Sequence, residues 1–484
     1  MDDNKKIEGE NQRQNPIFES IPVEEVSPEV ESPFSEEIAS SSSPPATDFP
    51  PPVYEENKQK YFIIAGVVTV FFIFLLVILK LIFGGKPSAK KVSLTYWGLW
   101  EDSQVFEPLI EQYHKNNPHV TVVYQKMDPH NYREKLIARS KNGQGPDIFR
   151  FHNTWLPEIK EIAAPLPSNI MSNSEFEKTF YKIHQKDLKI GNYYYGLPLE
   201  IDGLVLIYND SLFKKAGIIS PPTTWDELTD TVAKLTVKNK SGQIITAGIA
   251  IGTTGNIDHF SDIFGLMLAQ NSGEISKLDQ PEAAGALESY RKFAEPPNSF
   301  WDENMPQSTL AFVQEKVAMI IAPSWQAIVI KTANPDINLK IAPVPTIPGL
   351  PPVSLANYWV EGVSRFSRNQ IEAWKFLRFL VEKDNLTKLY EIQSKLRLFG
   401  EPYSRVDLAP LLSQNPYVGP VIKQADYYVS FPLVSRTYDN GLNDEIIKYI
   451  EDAINATTQG VSYNEALKTA KQGVDQVFTK FRLE

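Results

Sequence analysis

Two acidic residues two positions apart, Glu200 and Asp202, interrupt the apolar run GLPLEIDGLVLIYND. In an extended segment, side chains at i and i+2 point the same way, so both carboxylates share a face with Leu204 and Leu206. An ionised carboxylate on a buried face is costly without compensation. Either a Lys or Arg across the sheet pairs with each, or the face opens onto a cleft whose polar occupant supplies the hydrogen bonds. Paired carboxylates can also hydrolyse glycosidic bonds, and two on one strand face stand roughly 7 Å apart, which excludes neither stereochemical class. No pattern marks one of them as the acid, and no G-x-S-x-G, P-loop or GxGxxG fingerprint accompanies them. The stretch GTTGNID from Gly252 lacks the P-loop lysine and reads as a loop.

Aromatic residues recur beside acids and amides. Trp97 and Trp100 close the first expected strand next to Asp102, and Asn153 and Trp155 follow the third; Trp325 comes after an APS turn, and Tyr358 adjoins Trp359. Sugar rings present apolar C–H faces that stack on indole or phenol, while their hydroxyl rims need carboxylates and amides, so this mixture suits a carbohydrate site. The same aromatics would also serve a packed core. Trp225, inside the helix start TTWDEL, reads as packing.

The composition narrows the chemistry. Cysteine is absent, which removes disulfides, thiolate metal sites, cysteine nucleophiles and an N-terminal lipid-modified cysteine. The six histidines are scattered without a HExxH or i, i+4 pair, so neither a metal nor another cofactor is expected. Of the formal charge of −11, most lies in residues 1–60, where fourteen Asp or Glu oppose five Lys or Arg. The remainder is nearly neutral and gives no reason to expect nucleic acid.

Residues 1–60, with nine Pro and the run SSSSPP, lack apolar periodicity and read as a disordered acidic tail. Tyr61 to Phe83 forms an apolar segment, uncharged as far as Leu79 and hydrophobic on every side, the expectation for one transmembrane helix. A cleaved signal peptide would sit at the chain start behind a basic region, so an uncleaved anchor is the better reading. Lysines at 80, 86, 90 and 91 against 58 and 60 lean slightly toward placing the large domain inside, although long domains translocate largely regardless of charge.

A linker over 84–91 leads to the globular part. There VSLTYWGLW, VTVVYQ and PDIFRF read as strands, and EDSQVFEPLIEQYHKNN and YREKLIARSKNG as the helices between them, which predicts βαβ units and a mostly parallel sheet. The T-x-x-E of Thr224 and Glu227 and the S-x-x-E of Ser462 and Glu465 predict helix starts.

The blocks GPDIFRFHNTWLPEIKEIAAPLP, YYYGLPLEIDGLVLIYNDSLFKKAGI, PPTTWDELTDTVAKL and LAFVQEKVAMIIAPSW, in this order, resemble the family 1 extracellular solute-binding proteins, the maltose-binding type that serves ABC transporters. The resemblance runs from about residue 92 to about 480 and continues through KIAPVP, NQIEAWKFLRFL and GVSYNEALKTAKQGV. It implies an α/β, two-lobed periplasmic-binding-protein-like fold of type II with an interlobe cleft. The expected division is lobe 1 over about 92–202 and 353–405, and lobe 2 over about 203–352 and 406–484. LEIDGLVLIYN is then the first crossing between lobes, and Asp102, Asn153, Asp202 and Trp325 match positions that often touch ligand. Trp359 falls where many members have small glycines.

The function implied is a binding protein rather than an enzyme. It would be membrane-anchored with its large domain outside the cytoplasm, capturing a sugar and delivering it to an ABC permease. Related proteins take polyamines through carboxylates and aromatics, or ferric ion through tyrosines, for which Tyr193, Tyr194, Tyr195, Tyr427 and Tyr428 are candidates here.

Overall fold

The computed structural model describes residues 58–83 and 90–483. The expected tail, apart from its last three residues, and most of the linker fall outside them. Two compact units divide between Gly85 and Lys86.

The described part of the first unit is a single helix, Lys58–Phe83. At 1.5 Å per residue it is roughly 39 Å long, enough to cross a bilayer, and nearly every side chain from Phe62 to Leu79 is exposed.

The second unit is built on two five-stranded sheets. In the first, Val92–Gly98 lies between Val120–Lys126 and Ile148–His152, both parallel to it, with register from Val92 opposite Val120 to Gly98 opposite Lys126. Helix Ser103–Asn116 buries Val105, Phe106, Leu109 and Tyr113, the spacing of one helical face, as the periodicity predicts. Trp359–Val363 then pairs antiparallel with Ile148–His152 and carries Leu197–Pro198 at the far edge. The second sheet runs Leu339–Ala342, Leu204–Asn209, Val317–Pro323, Ile244–Ile249, Val237–Lys238 and mixes parallel with antiparallel pairs. Mostly parallel sheets were the expectation. Trp359–Val363 enters the first sheet from the second lobe and Leu204–Asn209 enters the second from the first, each antiparallel to its neighbours, and Val237–Lys238 folds back on Ile244–Ile249 as a local hairpin.

The crossings lie side by side. Between Leu197–Pro198 of the first sheet and Leu204–Asn209 of the second, only residues 199–203 remain, and they contain Glu200 and Asp202. The way back passes through Ser354–Leu355, which pairs parallel with Tyr428–Val429, into Trp359–Val363. Gly203 bridges Ala356, and Asn357 N–H donates to the Asp202 carbonyl at 2.9 Å. At Gly203 a side chain would collide with the Leu355 carbonyl and the Tyr428 ring, so only glycine lets the crossing strands lie so close. Both expected helix starts are capped: Thr224 Oγ accepts from Glu227 N–H at 3.2 Å, and Ser462 Oγ from Glu465 N–H at 3.3 Å.

Candidate functional site

A cavity of about 360 Å³ lies between the lobes. The first crossing contributes Glu200 and Asp202; the turn after Val317–Pro323 contributes Ser324 and Trp325; Trp100 and Trp359 come from the first lobe. Trp325 stands at the N-cap of helix Gln326–Ala333, and the ring of Trp359 packs edge-on against those of Trp100 and Trp155.

The two carboxylates have different surroundings. Asp202 Oδ1 accepts from Gly203 N–H at 2.7 Å and Ser324 N–H at 3.4 Å, and among the described residues it makes no ion pair. Burial pushes its carboxyl up to about 7, against the pull of those N–H groups. Glu200 accepts from Trp359 N–H at 2.8 Å and belongs to a buried charged floor. There Arg397 pairs with Glu101 at 2.8 Å and Glu401 at 3.4 Å, while Arg150 pairs with Glu361 at 2.6 Å and reaches Glu401 at 3.8 Å. Burial opposes ionisation of Glu401, yet the two guanidiniums hold it at about 2; burial and then the Glu401 charge push Glu200 well above the carboxylate range. Glu200 and Glu401 thus titrate as one pair, with the charge favoured on Glu401 beside the two guanidiniums. Among the described residues neither carboxylate forms an ion pair of its own, although the Arg150 charge draws Glu200 down.

His152, also on the wall, is held down to about 4 by burial and is neutral. Its Nδ1 accepts from Thr154 N–H at 3.3 Å, so Nε2 carries the proton and donates to Asn357 Oδ1 at 3.2 Å.

Of the ten residues singled out from sequence, Trp100, Glu200, Asp202, Trp325 and Trp359 meet at the cavity. The other five lie elsewhere. Trp97 is buried, with Nε1 donating to Gln125 at 3.0 Å, and does not line the cavity. Asp102 is exposed and paired with Lys126 at 2.8 Å. Trp155 is enclosed in the first-lobe core, behind Trp359. Asn153 and Tyr358 belong to a network beside the crossings: Asp187 Oδ2 accepts from Asn153 Nδ2 at 2.9 Å, Tyr358 OH at 2.9 Å and Ser430 Oγ at 2.6 Å. Sequence reasoning passed over Arg397, Glu401, Arg436 and Tyr438, all on the cavity wall. Their signal was faint, since they come from loops without a periodic pattern. None of the five tyrosines proposed for iron lines the cavity.

Two lobes of mixed sheet, joined by adjacent crossings and enclosing an aromatic and acidic cavity, define the architecture of a two-lobed solute-binding protein. The chain belongs to the family described as bacterial extracellular solute-binding protein, whose model matches residues 97–386. It is 25% identical over 395 residues to the maltotriose-binding protein of Pyrococcus abyssi, covering 76% of this chain and 80% of that protein. To the maltodextrin-binding protein MdxE of Bacillus subtilis it is 24% identical, covering 63% and 72% respectively. Its fold superposes with a TM-score of 0.65 on a cyclo/maltodextrin-binding protein complexed with maltotetraose, at 21% identity, over 81% of this chain and 99% of the other.

Proposed function

We propose that this protein captures a carbohydrate in its interlobe cavity and delivers it to an ABC permease, held at the membrane by helix Lys58–Phe83 with the large domain outside the cytoplasm. One observation carries the reading: Trp100, Trp325 and Trp359 share a cavity with Asp202, a buried carboxylate that has backbone N–H donors but, among the described residues, no cation. Indoles offer stacking faces for sugar C–H groups, and the carboxylate offers an acceptor for hydroxyls. The relatives named for maltotriose and maltodextrin support the same ligand class. Closure is the functional step, because the ligand's preference for the closed form makes the loaded receptor differ from the empty one. No covalent step is required of any residue.

Thermal-shift measurements on the full chain in detergent micelles, with maltotriose, monosaccharides, polyamines and ferric ion, test the ligand class. A ligand that binds only the folded state raises the melting midpoint. A shift with sugars supports the reading, and a shift with polyamines or iron alone replaces it. Protease added to intact cells tests the placement: a domain degraded only after lysis lies inside.

A further inference from the structure

The segment from Ser435 to Asn443 touches both lobes and contributes Arg436 and Tyr438 to the cavity wall. Its first residues hold the second lobe. Arg436 pairs with Asp258, Ser435 N–H donates to Asp262 at 3.1 Å, and Ser435 Oγ meets His259 Nδ1 at 2.9 Å. Its last residues hold the first lobe. Arg133 donates through Nε to the Asp439 carbonyl at 2.6 Å and pairs with Glu158 at 2.7 Å. Leu442 N–H reaches the same Glu158 oxygen at 3.3 Å, Asn440 Nδ2 donates to Asn131 at 3.3 Å, and Asn443 Nδ2 to Thr154 at 2.7 Å. At Gly441 any side chain would run into the Glu158 carboxylate and Arg133, so the backbone lies directly on the first lobe.

This stretch is also strained. Arg436, Tyr438 and Asn440 have φ of 61°, 58° and 45°, a region L-residues avoid, and such strain persists only where surrounding contacts impose it. The carboxylate of Asp439 ties this stretch to the start of the following helix. It accepts from the N–H groups of Gly441, Asn443 and Asp444 and from Asn443 Nδ2, at 2.8 to 3.2 Å. Between the two anchored ends Tyr438 stands with its ring centroid 6.1 Å from that of Trp100.

We propose that Ser435–Asn443 is a clasp: Arg436 and Tyr438 grip the ligand, and Asp439 is a positioning residue that presents them when the segment docks on the first lobe, so that lobe closure and ligand grip are one event. The gripping half rests on the receptor reading above; the docking half does not.

The groups facing Glu158 give the clasp a pH signature. Asp439 faces it from the segment and Arg133 from helix Tyr132–Lys141, with Asp444 and Glu134 beside that arginine. Enclosed there, Glu158 is pushed up to about 9 by burial and then by the Asp439 charge, with Arg133 opposing. In an open cleft it would return toward an ordinary carboxylate value. Closure therefore takes up a proton, and this bias toward the closed form is complete at low pH and is lost as pH rises through about 9.

The test uses the full chain in detergent micelles. As the protein has no cysteine, Lys141→Cys and Lys240→Cys give one spin label on each lobe, and pulsed EPR reads the distance between them. In ligand-free protein, N131G/R133K keeps the positive charge and the left-handed φ at residue 131 while removing two docking hydrogen bonds, and should lower the closed-to-open ratio about tenfold. E158Q should remove the part of the parent protein's pH dependence that falls toward about 9. Maltotriose affinity should fall in N131G/R133K in proportion to the closed fraction read by EPR, by up to about tenfold, although neither residue lines the cavity. An unchanged distance ratio, a parent with no closed population, or E158Q that follows the parent's pH profile would each overturn the clasp. If maltotriose fails to bind the parent protein, the carbohydrate reading falls, while the ligand-free distances still decide the docking.

Discussion

The cavity and the Asp187 network are built from the same kinds of residue, and only one of them is open. Around Asp187, three donors converge on one carboxylate oxygen, and Tyr358, Asn153 and Ser430 are all accounted for. In the cavity, Asp202 has backbone donors on one oxygen, and the indoles of Trp100 and Trp325 keep part of their surface free. A buried polar group is stable when its hydrogen bonds are complete. The Asp187 network completes them internally and so fastens the crossings; on the proposed function, the cavity completes them with the bound ligand.

Four substitutions would sharpen or break that contrast. The largest effect is expected at Asp187→Ala, which strands three donors and should lower stability by about 3 kcal/mol in chemical denaturation. A loss well below that would mean the network is not closed on itself. Trp325→Ala should weaken sugar binding by about 2 kcal/mol in calorimetry, roughly thirtyfold, while changing stability much less. Equal affinity would remove the cavity's aromatic role.

Asp202→Asn addresses pH. Because the folded-state carboxyl is raised to about 7, the folded protein holds this proton more tightly than the unfolded chain. Its contribution to stability is present below the unfolded value and lost as pH rises through about 7; the variant should flatten that fall in pH-dependent unfolding. Asp102→Ala, at an exposed ion pair, should leave sugar affinity and the melting midpoint unchanged. A measurable loss of affinity there would extend the site beyond the cavity.

Much of the fold was legible because its signals are local. The alternation in VSLTYWG and the spacing of Val105, Phe106, Leu109 and Tyr113 state which face is buried, and the caps at Thr224 and Ser462 are read within four residues. Half of the candidate site was legible too. Glu200 and Asp202 break an apolar run, and Trp325 ends a strand at a turn. Trp97 and Trp155 carry the same local signature and are core, because whether an indole faces a cleft depends on what packs over it.

By itself, then, the sequence determined one long apolar helix, the alternation of strands and helices, the family and the acidic crossing between lobes, all of them properties of neighbours along the chain. Tertiary structure decided which acids stay unpaired, which aromatics stay open and which loops join the wall. Those outcomes depend on partners far apart in sequence: Asn153 meets Ser430 across 277 positions and Arg133 meets Asp439 across 306. Hydrogen-bond saturation belongs to such pairs, and no single residue carries a sign of it.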